Sequence, residues 1–374
     1  MDTEQKLNIL ADSSKFDLAC SCKLDNEPGR VRGPEGRWIY PTVLPNGQRI
    51  FLLKVLQSNE CRNDCSYCPF NHNANIDRCS LGSEELAAVF VKLWHGRKVV
   101  GLFLSSGICG NADRTMAAML KTIEILRYRY GFKGFVHLKV LPGASDNAIL
   151  RAVQLATRVS VNIEVPNAKR MAILSKGKDF QNGIIRTIDR IKYYTENVPG
   201  ACRGQTTQFV VGAADESDKE IVSSTAALYN DKGLDRVYFS AYQPVGDLSA
   251  SEGEGSFIRE HRLYQVDYLL RKYSFSKDEI IFDAEDRLSL TKDPKEAWAH
   301  QHPEFFPIDI NTADREEILR VPGIGLVSVK KIIKARRARK FLYISQLQDL
   351  GVSVKKARQY LKLRDNQLVQ LTLW

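Results

Sequence analysis

Three cysteines, Cys61, Cys65 and Cys68, are the residues of this chain best suited to chemistry. Their spacing, C-x3-C-x2-C, lets three thiolates bind three irons of a cubane iron–sulfur cluster. The fourth iron then has no protein ligand. An open iron is a place where a bound molecule can react, whereas a cluster with four cysteine ligands usually only carries electrons. Tyr67 places an aromatic ring directly before the last cysteine.

A structural zinc ion held by Cys61, Cys65, Cys68 and His72 is the alternative interpretation. Zinc sites of this kind mostly open with C-x2-C or C-x4-C, and a second ligand pair follows a dozen or more residues later. No such pair follows the motif in this sequence. We therefore favour the iron–sulfur cluster.

The run from Cys61 to Cys68 resembles the radical S-adenosylmethionine (SAM) superfamily, whose motif is C-x3-C-x-aromatic-C. The resemblance implies a 4Fe-4S cluster on the three cysteines, with SAM bound to the open iron through its amino and carboxylate groups. One electron, supplied by a donor such as flavodoxin or ferredoxin, then cleaves SAM to methionine and a 5′-deoxyadenosyl radical. The cofactors carry the difficult chemistry, and the protein positions and shields them.

Short apolar runs that alternate with longer amphipathic segments must position this motif. The segments, such as 83–93, 114–128 and 145–155, have helical apolar spacing, with Ser83 and Asp146 as predicted N-caps. This alternation indicates βαβ units and a parallel sheet. Six strands suit a partial (β/α)6 barrel of the radical SAM type, and the motif follows the first strand, where loops of such barrels build the active site. The predicted strands are 50–56, 99–104, 134–141, 158–165, 207–211 and 236–240.

By resemblance, other strand ends supply further contacts to SAM. Ser105–Gly107 stands where the superfamily often has Gly-Gly-Glu, so a backbone or hydroxyl contact replaces the acid, with a simple turn as the alternative. Asn162 and Glu164 alternate onto one face of a strand and suit the ribose and amino groups of SAM, or form a structural pair. Whether His137 and Lys139 face the barrel lumen stays open. The predicted SAM-binding residues are Tyr67, Ser105, Ser106, Gly107, Asn162, Glu164, Gly212 and Gln243.

Residues 310–334 carry a second pattern. Thr312 is the predicted N-cap of a helix, and Pro322–Gly325 separates this helix from a second one. This resembles a helix-hairpin-helix, with a start like that of the DNA-uptake subfamily, and a degenerate second copy follows at 347–358. Free N–H groups at the positive end of the second helix can bind a phosphate. The predicted nucleic-acid contacts are Gly323, Gly325, Val327, Lys330, Lys331 and Lys334.

The charge is concentrated at the C-terminal end of the chain. The net charge is +10, and residues 305–374 hold 14 Lys and Arg against 6 Asp and Glu, a balance of +8. The other 304 residues hold 40 against 38, a balance of +2. Such an appended basic segment is typical of a nucleic-acid-binding module, with a solvated basic helix face as the alternative.

The length of 374 residues predicts one large domain and a smaller one. We expect a loop-rich N-terminal extension over 1–48, a radical SAM core over 49–290, a linker over 291–304 and a small all-α helix-hairpin-helix domain over 305–374. No apolar run reaches the roughly 18 residues that a membrane helix needs. The polar N-terminus is unlike a secretory signal, so a cytoplasmic protein is expected.

The cysteines outside the motif leave one further alternative open. Cys20, Cys22 and Cys79 form a candidate auxiliary cluster, while Cys109 and Cys202 are scattered. Unligated cysteines are commoner in cytosolic proteins, so we favour free thiols.

Nearly the whole chain, in the order cluster loop, barrel, helix-hairpin-helix, resembles a small group of bacterial radical SAM proteins described as DNA modification or repair proteins. The resemblance implies radical-based modification or repair of nucleic acid, with duplex DNA favoured, and a uracil-DNA-glycosylase-like protein as a partner. A radical SAM enzyme acting on RNA or tRNA is the first alternative. A non-enzymatic iron–sulfur protein that binds DNA and senses redox state is the second.

Overall fold

The structure is a computed structural model. Its described residues are 1–14, 39–43, 48–202, 204–242 and 253–364. The chain divides into two compact units, Met1–Glu216 with Ala227–Phe257 and Ser217–Ala226 with Ile258–Trp374. Among the described residues, no helix is both long and apolar enough to cross a bilayer.

A seven-stranded sheet forms the centre of the first unit, and its strands lie side by side in chain order. The first two strands pair antiparallel, and all other neighbours pair parallel. Six parallel strands in sequence order confirm the expected partial (β/α)6 architecture, because right-handed crossovers place the connecting helices on one face and let the sheet curl around the other. The strands are β1 (Ile39–Val43), β2 (Arg49–Leu56), β3 (Gly101–Ser105), β4 (Phe135–Lys139), β5 (Arg158–Ser160), β6 (Gln205–Val211) and β7 (Arg236–Ala241).

The helices are mostly of two to four turns. Two of them adjoin π-helical segments: Ile125–Arg129 continues the third helix and Phe180–Ile185 precedes the sixth. The helices are α1 (Thr3–Ser14), α2 (Ser83–His95), α3 (Ala112–Glu124), α4 (Asp146–Leu155), α5 (Ala168–Leu174), α6 (Arg186–Asn197), α7 (Asp218–Asn230), α8 (Gly253–Lys272), α9 (Pro294–Gln301), α10 (Arg315–Arg320), α11 (Leu326–Ala335), α12 (Ser345–Gln348) and α13 (Val354–Ala357).

One face of the sheet is covered by helices and holds the core. α2 packs on α3, α3 on α4 and α4 on α6. The strand register aligns buried Val55, Leu104, Leu138, Val159 and Gln205 in one row. The Gln205 side chain donates a hydrogen bond of 3.0 Å to a carbonyl of α6, so this row faces the helices. Residues that alternate with this row therefore face the inside of the curled sheet.

Where the structure describes the segment predicted as loop-rich, 1–48, it shows α1 and β1. Leu7 and Leu10 of α1 are buried, and the helix packs on β2. Lys6 Nζ lies 3.0 Å from the Glu85 carboxylate of α2. A short helix with two buried apolar residues has little periodic signal and depends on such tertiary contacts.

The predicted helix N-caps Ser83, Asp146 and Thr312 are wrong by one or two residues. In each case a preceding or following residue with extended backbone takes the capping position. The observed N-caps are Gly82, Ser145 and Asp314. The predicted strand 158–165 also ends early, at Ser160, and its second half keeps only an isolated bridge between Glu164 and Phe209.

Within the second unit, α10 and α11 form a helix pair around a short turn. Ile318 and Leu319 of α10 and Val329 and Ile332 of α11 are completely buried, so they form the contact between the two helices. The Val329 side chain is part of this core.

Candidate functional site

The cysteine loop, residues 57–82, follows β2 at the carboxyl edge of the parallel strands. Cys65 is buried, and Cys61 and Cys68 are partly exposed. Two backbone hydrogen bonds extend the pairing of β2 and β3 into the loop: Gln57 N–H donates to Ser105 O at 2.8 Å, and Gly107 N–H donates to Ser58 O at 2.8 Å. The pairing of β2 with β3 therefore continues directly into the cysteine loop.

The three thiols share one electrostatic environment. Burial raises the pKa of Cys65, and burial raises the pKa of Cys68 to about 12. In both cases the charge of Cys61 acts in the same direction. The thiols are therefore close enough to influence one another, and binding a cationic metal centre would favour their ionised form.

By its chemistry, a set of three thiols suits an iron–sulfur cluster with one open iron. Two further cysteines are engaged elsewhere: Cys109 Sγ donates to Glu60 Oε2 at 3.1 Å, and Cys79 Sγ lies 3.9 Å from Lys6 O. Exposed His72 places Nδ1 at 3.3 Å from Asn63 O. Within the described residues, no group of three or more His, Cys, Asp or Glu side chains is gathered around a position for a metal ion. Cys20 and Cys22 lie outside the described residues.

Arg78 organises the carbonyl groups of the cysteine loop. Its Nη1 donates to Asn59 O at 2.6 Å and to Phe70 O at 2.9 Å. Its Nη2 donates to Asn71 O at 2.7 Å and to Ala74 O at 3.0 Å. One side chain thus satisfies four loop carbonyls and fixes the path of the backbone on both sides of the cysteines. Sequence reasoning did not identify this residue.

Gly107 allows the end of β3 to approach the cysteine loop closely. A Cβ atom at this position would lie 2.3 Å from Glu60 O and 3.2 Å from Cys61 Cβ. Buried Ser105 and partly exposed Ser106 flank the same approach, and Ser106 Oγ donates to Ser58 O at 3.4 Å. The structure therefore shows these predicted SAM contacts supporting the loop, and their role toward SAM stays a prediction.

A segment after α5, residues 174–178, holds the cysteine loop from the other side. The Asp64 carboxylate accepts hydrogen bonds from Ser175 Oγ, from Lys176 N–H at 3.0 Å and from Gly177 N–H at 3.2 Å. These bonds, that of Ser175 foremost, lower the pKa of Asp64 to about 2. Ser66 N–H donates to the carbonyl of Leu174 at 2.9 Å. We call residues 174–178 the clasp.

Lys178, the last residue of the clasp, places a positive charge beside the cysteines. Its Nζ lies 3.2 Å from Tyr67 Oη and 3.2 Å from Glu164 Oε1. The side chains of Lys178 and Glu164 are only 10% and 5% exposed. Burial alone would lower the pKa of Lys178, but the charges of Glu164 and Cys65 raise it above its ordinary value. Burial and the charge of Glu164 raise the pKa of Tyr67.

The structure brings the predicted residues Asn162 and Glu164 together. Asn162 Nδ2 lies 3.5 Å from Glu164 Oε2. Glu164 has a φ of +67°, in the left-handed region that non-glycine residues seldom adopt. Its backbone N–H donates to Gln208 O at 2.9 Å, and its carbonyl accepts from Val210 N–H at 2.8 Å. This left-handed residue lies four residues after the end of β5, and its carboxylate points toward Lys178 and Tyr67.

Two predicted SAM contacts remain, Gly212 and Gln243. Gly212 has a φ of +90°, and its N–H donates to buried Glu216 Oε1 at 2.5 Å. The second Glu216 oxygen accepts from Ala214 N–H at 3.0 Å. Gly212 thus forms a turn whose amide is already engaged by a carboxylate. Gln243 lies outside the described residues.

The predicted nucleic-acid contacts lie together at the turn between α10 and α11. Gly323 has a φ of +85°, and a Cβ atom there would lie 2.7 Å from Ser353 O. Gly325 is the N-cap of α11, and Val327 in its first turn is 68% exposed. Three exposed side chains continue along α11: Lys330, Lys331 and Lys334.

Two buried or half-buried side chains of the same unit hold this turn. Lys295 of α9 donates to Leu319 O at 2.7 Å and to Ile324 O at 2.6 Å, and burial lowers the pKa of Lys295 to about 7. The Tyr273 hydroxyl accepts the backbone N–H of Leu326. This first N–H of α11 is therefore already capped by a protein group.

A second helix pair, α12 and α13, packs against the first turn. Gly351 between them has a φ of +83°, close to that of Gly323. The two turns exchange hydrogen bonds: Ser353 N–H donates to Gly323 O at 2.9 Å, and Ser328 Oγ donates to Gly351 O at 2.8 Å. Residues 345–357 therefore repeat the arrangement of the first pair in a shorter form, where the sequence suggests a degenerate copy.

Comparison with known proteins gives structural likenesses of low identity. No family model matches the chain, and no curated protein matches its sequence. Methylornithine synthase (PylB) is 16% identical at a TM-score of 0.46, over 59% of this chain and 64% of that chain. The FeFe-hydrogenase maturase HydG from Carboxydothermus hydrogenoformans is 15% identical at a TM-score of 0.45, over 57% and 51%.

A third similar structure carries an iron–sulfur cluster. It is the radical S-adenosylmethionine methyltransferase TsrM from Kitasatospora setae, solved with cobalamin and a [4Fe-4S] cluster bound. It is 13% identical at a TM-score of 0.38, over 54% of this chain and 37% of that chain. This chain thus spans between about a third and two thirds of the length of these three proteins.

Proposed function

We propose that this chain is a radical SAM enzyme that modifies or repairs nucleic acid, with duplex DNA as the favoured substrate. One observation carries the proposal: a loop with three cysteines leaves the carboxyl end of the first parallel strand of a partial (β/α)6 sheet, and Gly107, Arg78 and the clasp hold it there. Cys61, Cys65 and Cys68 would hold a 4Fe-4S cluster. Such a cluster would supply the single electron for reductive cleavage of SAM.

The protein's own residues contribute position and charge. The clasp holds the cysteine loop through Asp64, and Glu164 holds Lys178 beside Tyr67. Asn162 and Glu164 present polar groups at the same edge of the sheet and are the proposed contacts to the ribose and amino group of SAM. Burial of this cluster of side chains excludes water, which protects a reactive radical from side reactions.

The nucleic-acid part of the proposal depends on α11. Its first turn is exposed at Val327, its N-cap is a glycine, and three lysines follow on its surface. Peptide N–H groups at a helix start bind phosphate, and lysines add attraction to neighbouring phosphates. Such contacts fix position without reading sequence. Flavodoxin or ferredoxin is the proposed electron donor, and a uracil-DNA-glycosylase-like protein is the proposed functional partner.

The experiment measures 5′-deoxyadenosine made by anaerobically reconstituted protein with SAM and dithionite, with and without duplex DNA. We expect product from the wild type and from Cys202→Ala, a cysteine outside the loop, and none from Cys65→Ala. Stimulation by DNA, and not by tRNA at the same salt concentration, would support DNA as the substrate. No product from protein with an intact cluster would contradict the proposal and favour a redox-sensing DNA-binding protein.

A further inference from the structure

The inner face of the sheet carries a row of polar residues across four neighbouring strands. Lys139 of β4 pairs with Ser160 of β5, Ser160 with Thr206 of β6, and Thr206 with Arg236 of β7. This row alternates with the helix-covered row that contains Leu138 and Gln205, so its side chains point away from the helices. Lys139 of β4 therefore faces the lumen, a point that the sequence leaves open.

The four residues offer two cations and two hydroxyls to one space. Neighbouring strands lie about 5 Å apart, so the row spans about 15 Å between Lys139 and Arg236. The Lys139 ammonium lies toward the Phe103 ring of β3 and the Arg236 guanidinium over the Tyr238 ring of β7, so both side chains would turn toward the hydroxyls to meet one ligand. Ser160 and Thr206 are 4% and 2% exposed, whereas Lys139 and Arg236 are partly exposed. The two hydroxyls are therefore buried, and the two charged side chains are partly exposed to solvent.

The adjacent row adds more positive charge. Lys54 pairs with Phe103, and Phe103 pairs with His137. The Lys54 and Lys139 ammonium groups lie 5.1 Å and 6.0 Å from the centre of the Phe103 ring. His137 Nε2 lies 2.9 Å from Ser160 Oγ, which links the two rows. None of the residues in the seven described strands is Asp or Glu.

Arg236 has a hydrogen-bond donor that the described residues do not use. Its Nε is buried and has no hydrogen-bond partner among them. The guanidinium carbon lies 5.2 Å from the centre of the Tyr238 ring, which helps to fix the orientation of the group. Buried donors in native proteins nearly always have an acceptor, so this one is open to an acceptor from a ligand or from water. A planar guanidinium fork matches the oxygens of a phosphate.

We propose that the row Lys139, Ser160, Thr206 and Arg236 binds the phosphate of the nucleotide on which the enzyme acts. The inference rests on the proposed function and names the group by which its substrate is held. Lys139 and Ser160 are the last residues of β4 and β5, at the sheet edge from which the cysteine loop leaves β2. Thr206 and Arg236 stand instead near the starts of β6 and β7. The Lys139 and Ser160 end of the row is therefore the one on the cysteine side, and a phosphate held there places a nucleotide inside the curled sheet.

The test measures binding of thymidine 5′-monophosphate, thymidine and inorganic phosphate to the full-length chain by isothermal titration calorimetry. We expect thymidine to bind about tenfold or more weakly than its monophosphate, since hydrogen bonds to charged groups are worth at least that factor. Lys139→Met and Arg236→Gln should each weaken monophosphate binding by about tenfold or more. Arg236→Lys, which keeps the charge, should lose less, and Lys133→Met, an exposed lysine just before β4, should change nothing.

A short single-stranded thymidine oligonucleotide distinguishes the two sources of the phosphate. If the oligonucleotide competes with the monophosphate, and if Arg236→Gln weakens this competition, the row accepts a nucleotide within a strand. Oligonucleotide binding without competition would restrict the row to free nucleotides. Equal affinity for thymidine and its monophosphate, or unchanged binding in a folded Arg236→Gln protein with wild-type melting temperature, would overturn the inference. Production of 5′-deoxyadenosine by the wild type tests the proposed function separately, so either can fail alone.

Discussion

At the scale of single residues, the most informative side chain is one that sequence reasoning missed. Lys178 lies 111 residues from Tyr67 in the chain, in a segment with no motif, yet its ammonium contacts the tyrosine that separates two cysteines. Glu164, held in a left-handed conformation, keeps the ammonium in place. A cation fixed in a poorly solvated place beside thiolates stabilises added negative charge more than an exposed one would.

Replacing Lys178 with Met should lower the reduction potential of the cluster. A reduced cluster carries one more negative charge. The nearby cation stabilises this reduced form, so the reduced form becomes less stable when the cation is removed. We expect a shift on the order of 50 mV, equivalent to about a tenfold change in a one-electron equilibrium. An EPR-monitored redox titration of reconstituted protein measures it. Lys176→Met, an exposed lysine of the same clasp, is the matched control and should leave the potential where it is.

The same substitution leaves the Glu164 carboxylate buried without its cation. Breaking a buried ion pair costs about 3–5 kcal/mol, so Lys178→Met should also unfold at lower denaturant concentration. The double variant Glu164→Gln/Lys178→Met should recover part of this stability and also part of the potential, because Glu164 and Lys178 act on the cysteines with opposite signs. An unchanged potential in a loaded single variant would contradict the assigned role of Lys178.

At the scale of elements, the cysteine loop depends on two neighbours that approach it closely. The segment after β3 lies so near that a methyl group at Gly107 would overlap Glu60 O at 2.3 Å. The clasp after α5 donates backbone hydrogen bonds to the Asp64 carboxylate of the loop. Neither contact is local in sequence, and both fix the loop through backbone groups, which flexible side chains cannot replace.

Gly107→Ala should therefore disturb the loop. Overpacking in a tight structure typically costs about 1–3 kcal/mol, and backbone that cannot move raises the cost. We expect a lower melting temperature and less iron and sulfide per chain after reconstitution. Gly82→Ala is the control, because a Cβ atom at Gly82 would meet its nearest neighbours only at 3.9 Å. Full iron content in Gly107→Ala would show that the loop tolerates displacement.

The contact between Asp64 and the clasp should depend on pH in a definite direction. Hydrogen bonds lower the pKa of Asp64 from 3.8 to about 2. The ionised carboxylate therefore stabilises the folded state above about pH 4, and this contribution is lost as pH falls toward 2. We expect Asp64→Asn to be less stable than the wild type at pH 6, with the difference shrinking below pH 4. Urea unfolding across this pH range measures it, and a constant difference would argue against the contact.

The sequence was most informative where a pattern is local. The apolar runs located β2 to β7, and the cysteine spacing placed the loop after β2. β1 escaped notice because it is a short edge strand that contains Pro41. The alternation of Asn162 and Glu164 suggested a strand, but β5 ends at Ser160. In the next residues the Thr207 hydroxyl donates to Val161 O and accepts from Ile163 N–H in place of a backbone ladder. Lys178 could not be found because only the folded chain brings it to the loop. Arg78 lies within the loop, but its bonds to four carbonyls follow from the folded path of the backbone and leave no motif in the sequence.

At the scale of the whole molecule, the chain carries two kinds of surface in two compact units. The first unit presents thiols and an inner sheet face rich in cations. The second presents the start of α11, where Lys295 and the second helix pair hold the glycine turn. The basic excess of the sequence lies mostly in this second part: residues 305–374 account for +8 of the net +10. This distribution agrees with the proposal that the second unit binds nucleic acid.

Duplex binding should therefore respond to the lysines of α11 through salt. Each phosphate contact that a lysine makes releases counterions, so Lys330→Gln and Lys334→Gln should each reduce the slope of log K against log salt concentration by about one. The loss should be the same for duplexes of different sequence, because phosphates carry no base information. Fluorescence anisotropy over a potassium chloride series measures both quantities. Lys292→Gln, an exposed lysine of the same unit just before α9, should keep the wild-type slope. An equal effect of Lys292→Gln would mean that net charge, rather than the start of α11, attracts the duplex.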